Sequence, residues 1–301
     1  MTSSSPVTIL DGGMGRELMR IGAPFRQPEW SALALLDGPD WVVRAHRNFI
    51  DAGAEVITTN SYAVVPFHLG DDRFAARGHE LAELSGRLAR QAADDGLRPV
   101  RVAGSLPPLF GSYRPDLFDP VRAPSIIDPL VDGLAAHVDV WLGETLGSIA
   151  EANTVRDAID RAGEGGRELW LSYTLDDAHP GTVRSGESVL DAARAALDLG
   201  ASTVMFNCCQ AETITVAIDT ALEVIGDAAR VGGYANRFVA THTDGGEANE
   251  QLAGFRDDLD PSTYGDFVQG WLRRGATVVG GCCGMQPEHI ARIAQLVAGR
   301  R

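Results

Sequence analysis

Near the C-terminus the chain runs Thr277-Val278-Val279-Gly280-Gly281-Cys282-Cys283-Gly284. A β-branched run stops at two glycines, two adjacent cysteines and a third glycine. Neighbouring residues of a regular strand point to opposite faces. Two adjacent thiolates therefore share a metal only where the backbone leaves strand geometry, and Gly280, Gly281 and Gly284 permit that departure because glycine reaches φ > 0 without steric cost. Upstream, Thr203-Val204-Met205-Phe206-Asn207-Cys208-Cys209 is a second apolar run that ends in thiols. Three thiolates and one open position make a ligand set for a zinc ion that binds its substrate directly.

The helix-like segment 287–297 after the first stretch completes one β-then-α unit, and seven more units precede it. Strand-like runs fall at 7–10, 55–58, 100–103, 138–142, 169–173, 202–206 and 231–234, with the eighth at 277–280. Helix-like segments include 40–52, 73–95, one opening near Ser125, 148–161, 189–199, 212–225 and 263–274. The stretches 110–124, 174–187 and 241–261 read as loops, the last of them acidic. The glycine- and proline-bearing stretches after 103 and 142 read as strand breaks. Eight such units without a long linker predict an α/β fold, a single-domain (β/α)8 TIM barrel over 1–301 with a short Ser-rich tail at 1–6. A doubly wound sheet would want a Gly-x-Gly-x-x-Gly turn with an acidic residue about 20 positions on, and Gly12-Gly13-Met14-Gly15 lacks that spacing.

Barrel enzymes carry their chemistry at the C-terminal ends of the strands. The predicted strand ends hold Asp11, Thr59, Asn60, Ser105, Glu144, Cys208, Asn236 and the Cys282-Cys283 pair, far apart in sequence and predicted to meet at one mouth. Each has a plainer reading. Free cysteines are commonly buried core residues, Asp11 is a suitable turn residue before two glycines, and Glu144 is available for an arginine. Three cysteines at two strand ends favour the metal reading. A Cys282–Cys283 disulfide fits the geometry of such bonds poorly, and strand alternation turns Cys209 away from Cys208, leaving it a spectator. His68, His179 and His242 fall in loops, are expected at the solvated surface, and lack metal-ligand spacing.

The chain has 301 residues, 45% of them apolar and 22% charged, as in soluble globular proteins. A net charge of −15 argues against nucleic acid or an anionic membrane as partner. No segment has the apolar length of a transmembrane helix, and residues 1–6 show no secretory signal. Four cysteines are too few for a disulfide framework in a chain of this size, and suit a cytoplasmic protein with reduced thiols.

At these residues the chain resembles the zinc-dependent homocysteine S-methyltransferase family. The resemblance runs from Asp11-Gly12-Gly13-Met14-Gly15 through Thr59-Asn60-Ser61-Tyr62, Gly104-Ser105, Glu144-Thr145, Arg184-Ser185-Gly186-Glu187 and Asn207-Cys208 to Gly280-Gly281-Cys282-Cys283-Gly284. It implies that Cys208, Cys282 and Cys283 bind Zn2+ and that the thiol of homocysteine takes the remaining position. Zinc deprotonates a coordinated thiol, which then attacks a methyl group on an onium donor whose leaving group is neutral, so no general acid is required. It also implies that Glu144 holds the amino group of homocysteine, with Asp11, Gly12, Thr59 and Asn60 around the amino acid. Asn236 is expected as a displaceable fourth ligand, from its place after the seventh strand.

The chain departs from the family's frequent pattern on the donor side. Leu106-Pro107-Pro108 and an insert Ser112-Tyr113-Arg114-Pro115-Asp116 follow the third strand, Leu146-Gly147 follows Glu144-Thr145, and Tyr234-Ala235-Asn236-Arg237-Phe238 follows the seventh strand. The expected reaction is methyl transfer from S-methylmethionine or S-adenosylmethionine to homocysteine. The rivals are the same zinc chemistry with betaine or another onium donor, boxed by aromatics such as Tyr113, Phe118 and Tyr234, a thiol-binding protein without turnover, and a structural zinc site closed by Cys209 as fourth ligand.

Overall fold

The computed structural model describes residues 6–239 and 254–300. Among them eight strands, all parallel to their neighbours, form one sheet: β1 (Thr8–Ile9), β2 (Val56–Thr58), β3 (Arg101–Leu106), β4 (Val140–Leu146), β5 (Glu168–Tyr173), β6 (Thr203–Asn207), β7 (Arg230–Tyr234) and β8 (Val278–Val279). They pair in sequence order from β2 to β8, and β8 pairs with β1. Between β1 and β2 the ring closes through the Glu55 N–H to Ile9 O hydrogen bond, 2.7 Å, and a Leu10–Val56 bridge. The expected (β/α)8 barrel is thus what the chain forms.

Strand periodicity sorts the interior into layers. Inward-facing residues alternate along each strand, and Leu10, Val56, Ala103, Val140, Leu142, Trp170, Met205, Tyr234 and Val278 form an apolar cluster of their own inside the ring. Two residues further along several of these strands stand Thr58, Ser105, Glu144, Ser172 and Asn207, all polar. The register therefore puts a polar layer at the C-terminal mouth, directly above an apolar plug. At the opposite end Glu168 pairs with Arg101 at 2.5 Å and accepts from Trp170 Nε1 at 2.7 Å.

Inside the plug, β7 comes so close to β8 that Gly232 has no room for a side chain. A Cβ there would lie 2.1 Å from Val278 O. That neighbour is backbone in a closed ring, so it has little freedom to yield. Gly232→Ala is expected to destabilise the barrel by about 3 kcal/mol or more, read as a lower urea midpoint; an unchanged midpoint would show that the strands can separate.

Helices cover the outside. Serine or aspartate caps start three of them: Ser148 accepts from Glu151 N, Ser188 from Asp191 N and Asp260 from Thr263 N. Three short helices, Met14–Ile21, Ala32–Asp37 and Pro66–Leu69, lie where none was predicted. Two strands outrun their predicted ends by several residues. β3 continues through Gly104 and Ser105, and β4 through Gly143 and Glu144, because pairing between them (Gly104 with Trp141, Leu106 with Gly143) outweighs the low strand preference of glycine. The helix after the 110–118 loop starts at Ala123, and Ser125 bonds back to Arg122 O instead of capping it. Most of the acidic loop expected at 241–261, His242 included, lies outside the described residues. No helix among the described residues is long and apolar enough to cross a membrane.

Candidate metal centre

After Asn207, strand alternation would send the next side chain away from the barrel axis. The chain instead turns sharply: Cys208 adopts φ 56°, a left-handed conformation uncommon outside glycine. The Asn207 side chain stabilises this turn from within the mouth. Its Oδ1 accepts from Thr145 N at 2.9 Å and Ser172 Oγ at 2.7 Å, and its Nδ2 donates to Thr145 Oγ1 at 2.8 Å. Thr145 is itself at φ 59°. Strained backbone of this kind concentrates at functional sites. Here it places Cys208 on the cavity while Cys209 packs into the apolar layer outside the barrel.

The other two thiols come from the turn after β8. Cys282 N donates to Ala235 O, Met285 N returns to Cys282 O, and Gly284 takes φ 83°. The Asp11-Gly12-Gly13 turn presses on this loop backbone to backbone: Gly281 N donates to Asp11 O at 2.9 Å and Gly13 N to Met285 O at 3.0 Å. A Cβ on Gly13 would stand 2.8 Å from Cys282 O, so the contact needs glycine.

The sulfurs of Cys208, Cys282 and Cys283 all lie within 4.8 Å of one another, and those of Cys208 and Cys283 are 3.7 Å apart. Tetrahedral zinc with Zn–S bonds of about 2.3 Å requires sulfurs about 3.8 Å apart, so the donor set and its spacing fit that ion. Cys209, buried in the outer layer, is not a member of the cluster, which leaves three protein thiols and an open side. All four cysteines are free. Hydrogen bonds from Cys282, Cys283 and the Tyr113 hydroxyl hold the Cys208 thiol well below its ordinary range. The Tyr113 bond to Cys208 Sγ is 2.9 Å and brings the 112–116 insert directly over the cluster.

Two buried carboxylates share the cavity. Asp11 accepts from Thr58 N at 2.8 Å and Thr58 Oγ1 at 2.9 Å. Glu144 accepts from Ser105 Oγ at 2.5 Å and Tyr234 OH at 3.2 Å. Neither has an ion-pair partner among the described residues. Burial pushes the Asp11 carboxyl up to about 7, against its Thr58 hydrogen bonds and with the Glu144 charge adding to the rise. Burial likewise pushes Glu144 up to about 7, against the bonds from Ser105 and Tyr234. A pair of carboxylates without a cation presents a receptor for an ammonium group.

Asp11, Gly12, Thr59, Asn60, Glu144, Cys208, Cys282 and Cys283 all line this one cavity. Thr59 Oγ1 is occupied by Ser61 Oγ at 2.8 Å and Ser105 N at 3.0 Å, so it braces two strand ends. Asn236 is buried but does not line the cavity; its Oδ1 accepts from Phe238 N at 3.1 Å. Phe118 packs against Phe110 and also lies off the cavity. His179 is exposed beside Asp176. His68, expected at the surface, is only 2% exposed and lines the cavity. Sequence reading missed Arg16 and Trp30 in the cavity wall. The signal for Arg16 was the short helix Met14–Ile21 after Asp11-Gly12-Gly13, which its glycines obscured; Trp30 lies outside any helix, in a bridge with Arg26.

Fold and cluster together define a class: a (β/α)8 barrel with three thiols at metal-ligand spacing at its C-terminal mouth. The sequence profile of the family described as Homocysteine S-methyltransferase matches residues 8–297. The chain belongs to that family. Among similar proteins, the homocysteine S-methyltransferase of Escherichia coli K12 is 29% identical over 95% of this chain and 94% of its own length. The homocysteine S-methyltransferase YbgG of Bacillus subtilis is 26% identical, covering 96% and 94%. In fold, the chain is similar to the metallated form of the Escherichia coli homocysteine methyltransferase MmuM, with a TM-score of 0.79 at 23% identity over 97% of this chain and 96% of that one.

Proposed function

We propose that the protein transfers a methyl group from a sulfonium donor, S-methylmethionine or S-adenosylmethionine, to the thiol of homocysteine, giving methionine. The observation that carries this reading is the meeting, in one cavity, of three thiols at zinc spacing with two buried carboxylates that have no cation. Cys208, Cys282 and Cys283 would hold the zinc ion, which when bound keeps a substrate thiol deprotonated at neutral pH. Glu144, with Asp11 beside it, receives the α-ammonium group of homocysteine, and Gly12, Thr59 and Asn60 form the wall against which the amino acid lies. Asn236 serves as a fourth ligand only if its side chain leaves Phe238 N.

The acceptor sulfur bonds to the methyl carbon as the carbon–sulfur bond of the sulfonium breaks, and a neutral thioether departs. Anion and cation cancel in the transition state, so a low-dielectric, water-poor site favours it. The chain contributes alignment and exclusion of water; no paired acid and base is needed. A cytoplasmic setting, where thiols stay reduced, suits the three cysteines.

Zinc-loaded protein is expected to form methionine from homocysteine with a sulfonium donor and to prefer it to betaine in direct competition. Zinc binding without methionine from any of the three donors would overturn the reading.

A further inference from the structure

Folded chains leave few buried polar side-chain atoms without a partner, and each asks for a cause. Among the described residues, three that line the cavity carry such atoms: Arg16 at Nε and Nη2, Asn60 at Oδ1 and His68 at Nε2. All three abut one short stretch of chain. The Arg16 guanidinium lies 5.9 Å from the centre of the Trp30 ring, Asn60 Nδ2 donates to Ser31 O at 3.0 Å, and His68 Nδ1 is 2.8 Å from Pro28 O. Four residues span at most about 11 Å between their terminal Cα atoms, so these unmatched groups belong to one wall.

Their chemistry is mixed in sign. Pro28 O only accepts, so His68 carries its proton on Nδ1 and presents Nε2 as an acceptor. Burial drives its imidazole down to about 4, which keeps it neutral. Asn60 Oδ1 is a second acceptor, and both residues are 2% exposed. Arg16 is a permanent cation with unused N–H groups, ringed by Phe255 at 4.7 Å, Phe238 at 5.7 Å and Trp30. It forms no ion pair among the described residues, and no other arginine or lysine among them lines the cavity.

We propose that Arg16, Asn60 and His68 form a subsite for the α-amino-acid end of a substrate, the guanidinium taking the carboxylate and the two acceptors the ammonium group. The proposal rests on the methyl-transfer reading, in which two molecules with such ends share the cavity. Asp11 and Glu144 provide for an ammonium group but not for a carboxylate. One guanidinium serves one carboxylate, which comes from homocysteine or from the donor.

The test uses the full zinc-loaded chain and calorimetric Kd values for homocysteine, S-methylmethionine and (3-aminopropyl)dimethylsulfonium, the analogue of the donor without its carboxylate. Arg16→Met is expected to weaken one of the two amino acids by about 10- to 100-fold, with partial recovery in Arg16→Lys and no change for the carboxylate-free sulfonium. A change confined to S-methylmethionine assigns the subsite to the donor, and one confined to homocysteine assigns it to the acceptor. Unchanged Kd values, a wild-type chain that binds neither amino acid, or an equal loss for the carboxylate-free sulfonium would overturn the proposal. Arg16-dependent binding without methionine formation would leave the subsite standing and remove the reaction. Methionine formation with unchanged Kd values would do the reverse.

Discussion

Cys208→Ala is expected to lose zinc and, with it, methionine formation. Loss of a group that merely orients a ligand costs about 10- to 100-fold in metal affinity. Loss of one of three thiolates should exceed that range and leave less than about 1% of activity. The geometry sharpens the expectation. Cys208 sits 3.7 Å from Cys283 across the cluster and is the one clustered thiol that follows β6, so its removal leaves two adjacent cysteines of a single turn. Cys209 lies in the outer apolar layer and cannot take over without undoing the Asn207–Thr145 bridge. Cys209→Ser, by contrast, should retain the full zinc content, since that thiol is outside the cluster. Metal analysis of both variants, with circular dichroism to confirm folding, checks the pair. Zinc retained by Cys208→Ala, or lost from Cys209→Ser, would contradict the assignment.

Glu144→Gln should separate binding from stability. The carboxyl is raised from an ordinary 4.5 to about 7, chiefly by burial. Because the folded-state value lies above the unfolded one, the stabilising contribution is fully present below pH 4.5 and is lost as pH rises through about 7. At pH 8 the folded chain holds a buried charge without a cation. Glutamine removes that charge, so Glu144→Gln should gain about 2–3 kcal/mol relative to wild type between pH 4.5 and pH 8. At pH 8 the variant should bind homocysteine about 10- to 100-fold more weakly, through loss of the charged hydrogen bond to its ammonium group. Urea melts at both pH values and a homocysteine titration at pH 8 are the measurements. Weaker binding without the pH-dependent gain in stability would mean that Glu144 is already ionised and solvated in the free protein.

Much of this was legible in the sequence. Eight apolar runs with polar residues at their ends are what a closed parallel barrel demands, because the inward positions recur every second residue and change from plug to mouth within two. The thiols stood out because glycines flanked one pair and an asparagine preceded the other. Other features depend on tertiary contacts that local patterns do not carry. Gly104 and Gly143 read as strand ends, yet the ring pairs straight through them. Pro66–Leu69 is too short for helical periodicity, so His68 passed for a surface residue. Arg16 follows three glycines within five positions, and nothing local shows that its guanidinium ends up among Trp30, Phe238 and Phe255. Tyr113 falls in an irregular insert whose fold back over Cys208 is set by long-range contacts.

In the proposed reaction the three cysteines leave one position of the metal open for the thiol of homocysteine. Zinc K-edge X-ray absorption, recorded with and without homocysteine under reducing conditions, tests it most directly. Three sulfur neighbours at about 2.3 Å and one lighter neighbour, becoming four sulfurs when homocysteine is added, is the predicted result. A coordination sphere that homocysteine leaves unchanged, or four sulfurs before any substrate is present, would contradict it.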